Sequence, residues 1–150
     1  MQRFTKDKIP EIARKTIKHI LKTKTKKAKV VALSGDLGSG KTTLTKEIAK
    51  QFGIKENIVS PTFVIMKFYD INKNSIYFKH FKKLIHIDTY RLENSEDLFK
   101  INWLEIVSNR DNLIIIEWPE IMEKYLDREV LWFSLKHIDD QTRTIEIMNK

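Results

Sequence analysis

Apolar residues along the chain follow two different spacings. After Pro10, which suits the first turn of a helix, they recur every three or four positions and predict an amphipathic helix. Its apolar stripe consists of Ile9, Ile12, Ala13, Ile17, Ile20 and Leu21. Further on, short apolar runs typical of buried strands alternate with helical patterns. We predict strands at 29–34, 63–69, 76–78, 84–88 and 113–117, helices from 43 to about Gly53, at 93–109 and at 120–126, a turn at 72–75, and a C-terminal hairpin of strands 130–135 and 143–147.

This order of elements predicts an α/β fold. Strands that alternate with helices favour a mainly parallel central sheet with helices on both faces, and the C-terminal hairpin adds antiparallel strands. The chain has 150 residues, of which 41% are hydrophobic, which is enough for one core. We therefore expect a single domain, 1–150.

The composition excludes several classes of protein. The chain has no Cys, so disulfides, Cys-based zinc sites and thiol nucleophiles are impossible. The charged N-terminal segment precedes no apolar stretch, and the longest aliphatic runs are short ones such as Leu113-Ile114-Ile115-Ile116. We expect a cytoplasmic protein that does not contact a membrane.

Residues 35–42 read Gly-Asp-Leu-Gly-Ser-Gly-Lys-Thr, a full G-x-x-x-x-G-K-[ST] phosphate loop between a predicted strand and a predicted helix. Glycines let backbone N–H groups approach a polyphosphate, and the start of the next helix favours the same anion. Lys41 would reach the β and γ phosphates, and the Thr42 hydroxyl would bind the Mg²⁺ that bridges them. The sequence therefore predicts a P-loop NTPase fold that binds a nucleotide.

Two acids occupy the ends of predicted strands. Asp88 ends the run Leu-Ile-His-Ile-Asp, and Glu117 ends Ile-Ile-Ile-Glu. In a parallel sheet the ligand lies beyond the carboxyl ends of the strands, so both acids are placed to face the phosphate loop. One would hold Mg²⁺ directly or through water, and the other could orient the attacking water or another acceptor. The alternative is that each acid opens a turn or caps the following helix.

The formal net charge is +8, and its densest basic stretch is residues 22–29. An excess of Lys and Arg can mark a surface for nucleic acid. This stretch contains no aromatic residue for base stacking, so a solvated connector is favoured over an RNA-binding patch.

Four motifs occur in a characteristic order: the loop at 35–43, then Ser-Pro-Thr-Phe at 60–63, His-Ile-Asp-Thr-Tyr-Arg-Leu at 86–92, and Ile-Glu-Trp-Pro-Glu at 116–120. Together they resemble the TsaE (YjeE) family, the bacterial ATPases of tRNA threonylcarbamoyladenosine (t6A) synthesis. The resemblance extends from about the strand that precedes the phosphate loop to Glu120, whereas residues 1–28 and 127–150 match only in general character.

The resemblance implies a role for several residues. Thr62 would be a switch threonine that senses the terminal phosphate, Asp88 the acid near the metal, and Glu117 the acid that positions water. Trp118 would line the site or contact a partner, unless it is ordinary core. Nucleotide and metal binding would fall to Asp36, Leu37, Gly38, Ser39, Gly40, Lys41, Thr42 and Thr43, with Thr42, Asp88 and Glu117 around the metal.

The resemblance also implies an activity and its partners. The expected reaction is Mg²⁺-dependent hydrolysis of ATP to ADP, slow without partners, since no obvious arginine finger is present and Arg91 is the nearest candidate. The partners would be the TsaD–TsaB transferase complex and, through it, tRNA modified at adenosine 37. The protein would support repeated turnover of that complex rather than make or transfer the threonylcarbamoyl group.

Three other functions use the same loop. A small P-loop kinase would transfer the γ-phosphate to a metabolite hydroxyl, but it usually needs an Arg-rich lid, and the arginines here are few and scattered. A guanine-nucleotide switch would need an Asn-Lys-x-Asp element, and the nearest match, at 72–75, ends in Ser75. A binding module would retain ATP unchanged even with its partners present.

The chain departs from the family pattern in two places. Residues 72–83 form an insertion-like segment, predicted as a hairpin, and Asn102 stands where the family tends to have Gly. Asn tolerates a left-handed backbone, so the second departure is mild. The four histidines, among them His86, show no metal-ligand spacing and are assigned no function.

Overall fold

A seven-stranded sheet forms the centre of the protein. The computed structural model describes residues 1–22, 25–94, 96–97 and 101–148. The strands are β1 (Gln2–Thr5), β2 (Lys29–Ser34), β3 (Met66–Asp70), β4 (Lys83–Asp88), β5 (Asn112–Glu117), β6 (Leu131–His137) and β7 (Thr142–Met148). The α-helices are α1 (Ile9–Lys22), α2 (Lys41–Gln51) and α3 (Trp103–Ser108), with 3₁₀ helices at Lys6–Lys8 and Pro119–Tyr125.

The strand order is β1-β7-β6-β2-β5-β4-β3. Strands β6, β2, β5 and β4 are parallel, whereas β7, β1 and β3 add antiparallel pairs at the two sides. The predicted α/β fold, with its mainly parallel centre and C-terminal hairpin, is confirmed. In the register of the sheet, Glu117 pairs with Leu33 on one side and with Asp88 on the other. Both strand-end acids therefore lie at the edge of the sheet where the phosphate loop begins.

Helices cover both faces of the sheet, because alternate residues of each buried strand point to opposite sides. One face packs against α1 and α2, with Val31, Leu84 and Ile115 among the contacting strand residues. The other face packs against α3 and the 3₁₀ helix Pro119–Tyr125 through residues that include Ile87 and Ile114. Among the described residues, no helix is both long and apolar enough to cross a membrane.

The insertion-like segment differs from the prediction. Residues 73–80 form a series of turns, so the strand at 76–78 and the hairpin at 72–83 are wrong. The aromatic residues of this segment pack on the end of α2 instead, with the rings of Tyr77 and Phe81 centred 4.6 and 6.1 Å from the Phe52 ring. Burial of those rings against Phe52 replaces strand pairing.

Other boundaries also shift. The strand predicted at 63–69 begins only at Met66, because residues 62–65 form a turn in which Ile65 has a positive φ of 65°. The sequence pattern did not predict β1, which pairs with β7. The helix predicted at 93–109 is α-helical over Trp103–Ser108, while residues 95 and 98–100 lie outside the described residues. The helix predicted at 120–126 is the 3₁₀ helix Pro119–Tyr125.

The basic stretch at 22–29 is divided in the structure. Residues 23 and 24 lie outside the described part of the chain. Lys29 belongs to β2 and is buried, and burial lowers the pKa of its ammonium against the opposing charges of Glu129 and Asp127. Lys29 is therefore not part of a solvated surface.

Candidate functional site

The phosphate loop connects β2 to α2 at the carboxyl edge of the sheet. Gly35 has a φ of 137°, and a Cβ there would lie 2.0 Å from the carbonyl oxygen of Leu135, so the close approach of β6 requires glycine. Gly38 and Gly40 also have positive φ, at 76° and 102°, but no heavy atom lies within 4 Å of a Cβ built on either. The loop is thus tightly packed where it leaves β2 and open where it reaches α2.

Lys41 is the first residue of α2, and its side chain is 4% exposed. Its ammonium donates hydrogen bonds to the carbonyl oxygens of Gly35 at 2.6 Å and Asp36 at 3.0 Å. It also lies 3.9 Å from the centre of the Trp118 ring. The cation is therefore held in the loop by carbonyl oxygens and an aromatic face.

Burial and the nearby carboxylates shift the pKa of Lys41 in opposite directions. Burial lowers the pKa of its ammonium, and the carboxylates of Glu117, Asp88, Glu120 and Asp36 oppose that shift. The site therefore concentrates negative side chains around one buried cation.

Thr42 and Glu117 connect α2 to the end of β5. The Thr42 hydroxyl donates a 2.7 Å hydrogen bond to Glu117 Oε2. The other carboxylate oxygen of Glu117, Oε1, lies 2.7 Å from Nε2 of His86 on β4. Glu117 is 2% exposed, so these contacts replace water for both oxygens.

Asp88 holds the Ser-Pro-Thr-Phe segment. The hydroxyls of Ser60 and Thr62 donate to the same oxygen, Asp88 Oδ2, at 2.5 and 2.6 Å. The second oxygen, Oδ1, accepts the backbone N–H of Tyr90 at 3.0 Å. Asp88 therefore fixes the threonine that the sequence predicts as a switch.

These groups surround one cavity of about 340 Å³. Its lining residues are Leu37, Gly38, Gly40, Lys41, Thr42, Thr43, Ser60, Thr62, Asp88, Tyr90, Glu117 and Trp118. Of the predicted site residues, Asp36 and Ser39 do not line it. Ser39 is fully buried with its hydroxyl 3.5 Å from the Lys41 ammonium, and Asp36 contributes its carbonyl oxygen to that ammonium. Both support Lys41 from within the loop.

Sequence reasoning missed His86, which contacts Glu117, and did not single out Ser60 or Tyr90. A signal for His86 was present, because His86 and Asp88 are two positions apart on a strand and must share a face. The predicted arginine candidate, Arg91, is not among the lining residues, and its guanidinium stacks on the Phe63 ring at 4.1 Å.

The donor set fits one kind of metal ion. The described residues contain no group of three or more His, Cys, Asp or Glu side chains that could enclose a metal ion. Mg²⁺ does not require such a group, because it keeps several waters and is often bound by one or two carboxylates together with substrate phosphates. Thr42 with Glu117, 2.7 Å apart, and nearby Asp88 could hold Mg²⁺ in that way.

The glycine loop between β2 and α2, set against a parallel sheet, defines a P-loop NTPase-like α/β fold. The family model for the threonylcarbamoyl adenosine biosynthesis protein TsaE matches residues 7–145. The chain belongs to the TsaE family, as the resemblance predicts.

Curated relatives agree with this assignment. A tRNA threonylcarbamoyladenosine biosynthesis protein TsaE from Rickettsia prowazekii is 37% identical over 119 residues, which cover 79% of this chain and 76% of the relative. The TsaE protein of Haemophilus influenzae is 35% identical over 129 residues, 86% of this chain and 75% of the relative.

Among solved structures, Bacillus subtilis YdiB superposes with a TM-score of 0.64 at 26% sequence identity. The match covers 97% of this chain and 83% of YdiB. The structural match therefore extends over nearly the whole chain.

Proposed function

We propose that this TsaE-family protein binds ATP with Mg²⁺ in the 340 Å³ cavity and hydrolyses it to ADP, acting in the cytoplasm with the TsaD–TsaB transferase complex in tRNA t6A37 modification. One observation carries the proposal: the phosphate loop, the Thr42–Glu117 pair and the Asp88–Thr62 pair all line the same cavity. These are the parts that phosphoryl transfer from a nucleotide requires.

Phosphate binding would use the loop as it stands. Gly38 and Gly40 leave the backbone open toward the cavity, and the N-terminus of α2 presents N–H groups and the positive end of its dipole there. The Lys41 ammonium would exchange its bonds to the carbonyl oxygens of Gly35 and Asp36 for charged phosphate oxygens. Hydrogen bonds to charged acceptors are the stronger, so that exchange is favourable.

The acids would divide the remaining work. Thr42 would hold Mg²⁺, with Glu117 and Asp88 binding it directly or through water, and the bound ion would neutralise charge on the phosphate oxygens. Glu117 Oε2 would orient the attacking water, as a carboxylate at the edge of the sheet can. Thr62 would exchange its bond to Asp88 for the terminal phosphate and so report its presence.

Turnover by the isolated chain would be slow. All six arginines lie among the described residues, and none lines the cavity. In phosphoryl transfer an arginine supplied by a partner is worth about 10³ to 10⁵ in rate. This supports a reaction that partners complete, and family membership supports TsaD and TsaB as those partners and tRNA as the molecule reached through them.

The test is ATP turnover by the purified chain, alone and then with TsaD, TsaB and tRNA. Phosphate release that rises with the partners and is lost in Lys41→Ala and Glu117→Ala would support the proposal. Lys50→Ala, on the exposed side of α2, is the matched control and should hydrolyse ATP like the wild type. ATP retained unchanged under every condition would indicate a binding module, and phosphate on a small acceptor would indicate the kinase; either result overturns the proposal.

A further inference from the structure

His86 lies beside Glu117 in the interior of the sheet. It is 0% exposed, and its Nε2 is 2.7 Å from Glu117 Oε1. The register explains the contact: His86 pairs with Ile115, and Asp88 pairs with Glu117, so His86 and Glu117 are diagonal neighbours on the face of α2. The histidine does not line the cavity, whereas the glutamate that it contacts does.

The surroundings of the ring indicate which nitrogen carries the hydrogen. Nδ1 of His86 is buried and has no hydrogen-bond partner among the described residues. If the hydrogen were on Nδ1, it would be a buried donor with no acceptor, which is rare and costly. Nε2 would then carry no hydrogen, and its lone pair would point at a carboxylate oxygen of Glu117. The arrangement that satisfies the contact has the hydrogen on Nε2, donated to Glu117 Oε1.

Glu117 then accepts one hydrogen bond on each oxygen. His86 occupies Oε1 from inside the sheet, and Thr42 donates to Oε2 at the cavity. A glutamate has three rotatable side-chain bonds, so a donor fixed to one oxygen also fixes the direction of the other. Without that donor, Oε1 would be left buried and unpaired, and the carboxylate would turn to find another partner.

We propose that His86 is a positioning residue for Glu117. This proposal rests on the proposed ATPase function. The Nε2–H of His86 holds Glu117 so that Oε2 faces Thr42 and the reacting end of the nucleotide. Partners that orient the groups around a metal typically contribute 10- to 100-fold to activity. The effect falls on turnover, because the phosphate loop and Lys41 bind the nucleotide without His86.

Two variants separate positioning from folding. His86→Leu removes the donor and keeps the side chain apolar, whereas His86→Gln can place an amide N–H near the position of Nε2. With the partner complex, we expect the kcat of His86→Leu to fall about 10- to 100-fold. Its Kd for a non-hydrolysable ATP analogue should change by less than about threefold. His86→Gln should recover most of the lost kcat. His137→Leu, an exposed position on β6, is the control and should match the wild type.

Three results would overturn the proposal: full turnover by His86→Leu, equal loss in the Leu and Gln variants, or a loss of nucleotide affinity as large as the loss of kcat. A second readout does not need turnover. Nitrogen-15 spectra of the histidine rings, assigned by the His86→Gln variant, should show His86 with hydrogen on Nε2 and a signal that moves in Glu117→Ala; hydrogen on Nδ1 alone would contradict the arrangement. A wild type that never hydrolyses ATP would overturn the proposed function, and the ring spectra would still decide whether His86 orients Glu117.

Discussion

The ammonium of Lys41 lies 3.9 Å from the centre of the Trp118 ring. Trp118 directly follows Glu117, has a φ of 59°, and packs against Tyr90 with the ring centres 5.0 Å apart and the ring planes tilted by 48°. The turn after β5 thus places an aromatic face over the cation of the phosphate loop. One short stretch of chain provides both the acid and the wall that confines the lysine.

Removal of that wall should weaken nucleotide binding. A cation over an aromatic ring is worth about 0.5–2 kcal/mol, so Trp118→Ala should raise the Kd for ATP about 2- to 30-fold as Lys41 becomes solvated and mobile. Trp118→Phe keeps a ring and should lose less. Calorimetric titration measures both, and tighter binding by the Ala variant would show that the contact competes with the nucleotide rather than preparing its site.

Two glycines of the phosphate loop, Gly35 and Gly38, should respond differently to a methyl group. Gly35→Ala would place Cβ 2.0 Å from the Leu135 carbonyl oxygen as well as at a positive φ, and should lower the free energy of unfolding by about 3–5 kcal/mol. Gly38→Ala meets no atom within 4 Å and should lose only about 1–2 kcal/mol through its φ of 76°. Urea denaturation compares them, and equal losses would contradict the packing argument.

Thr62 should distinguish ATP from ADP. Its hydroxyl contacts Asp88 Oδ2 at 2.6 Å and the Ser60 hydroxyl at 2.5 Å, and in the proposed site it would exchange the Asp88 bond for the terminal phosphate. Thr62→Val should therefore reduce the preference for ATP over ADP by about 10- to 150-fold, the value of a hydrogen bond to a charged group, while ADP affinity changes little. Lys50→Ala, at an exposed position on α2, is the control and should keep the wild-type preference. An unchanged preference in Thr62→Val would rule out the switch role.

Asn102 offers a test of backbone conformation far from the cavity. It has φ 53° and ψ 42° and caps α3 without a side-chain hydrogen bond. Asn102→Gly should keep or slightly raise the free energy of unfolding, whereas Asn102→Ala should lower it by about 1 kcal/mol, because only the second change places an ordinary side chain at positive φ. Thermal unfolding measures the difference, and a more stable Ala variant would contradict this explanation.

Most of the fold could be predicted from sequence patterns because the central strands are short apolar runs between recognisable helices. β2, β4 and β5 lie where predicted. The rule that ligands bind at the carboxyl ends of parallel strands correctly predicted that Asp88 and Glu117 lie beside the phosphate loop. The left-handed conformation at Asn102 also follows the prediction. These features depend on local pattern or on general topology.

The errors arose where tertiary contacts decide the structure. β1 is formed by pairing with β7 from the other end of the chain, which no local pattern reveals. The aromatic run near Tyr77 has strand composition, but its rings pack against Phe52 at the end of α2 instead of forming a strand. For His86 the sequence shows only that it shares a strand face with Asp88, because its contact with Glu117 depends on the register of β4 against β5.

Ile65 has an energetic consequence for the segment that holds Ser60 and Thr62. A β-branched residue at a φ of 65° carries a conformational cost on the order of 1–3 kcal/mol, and here its carbonyl accepts the N–H of Asp88 at 2.9 Å. An arrangement of this segment in which Ile65 relaxes would regain about that much free energy. If Thr62 switches as proposed, the strain at Ile65 would offset part of the cost of releasing Asp88, so a ligand that prefers the released arrangement by a few kcal/mol could move most molecules into it.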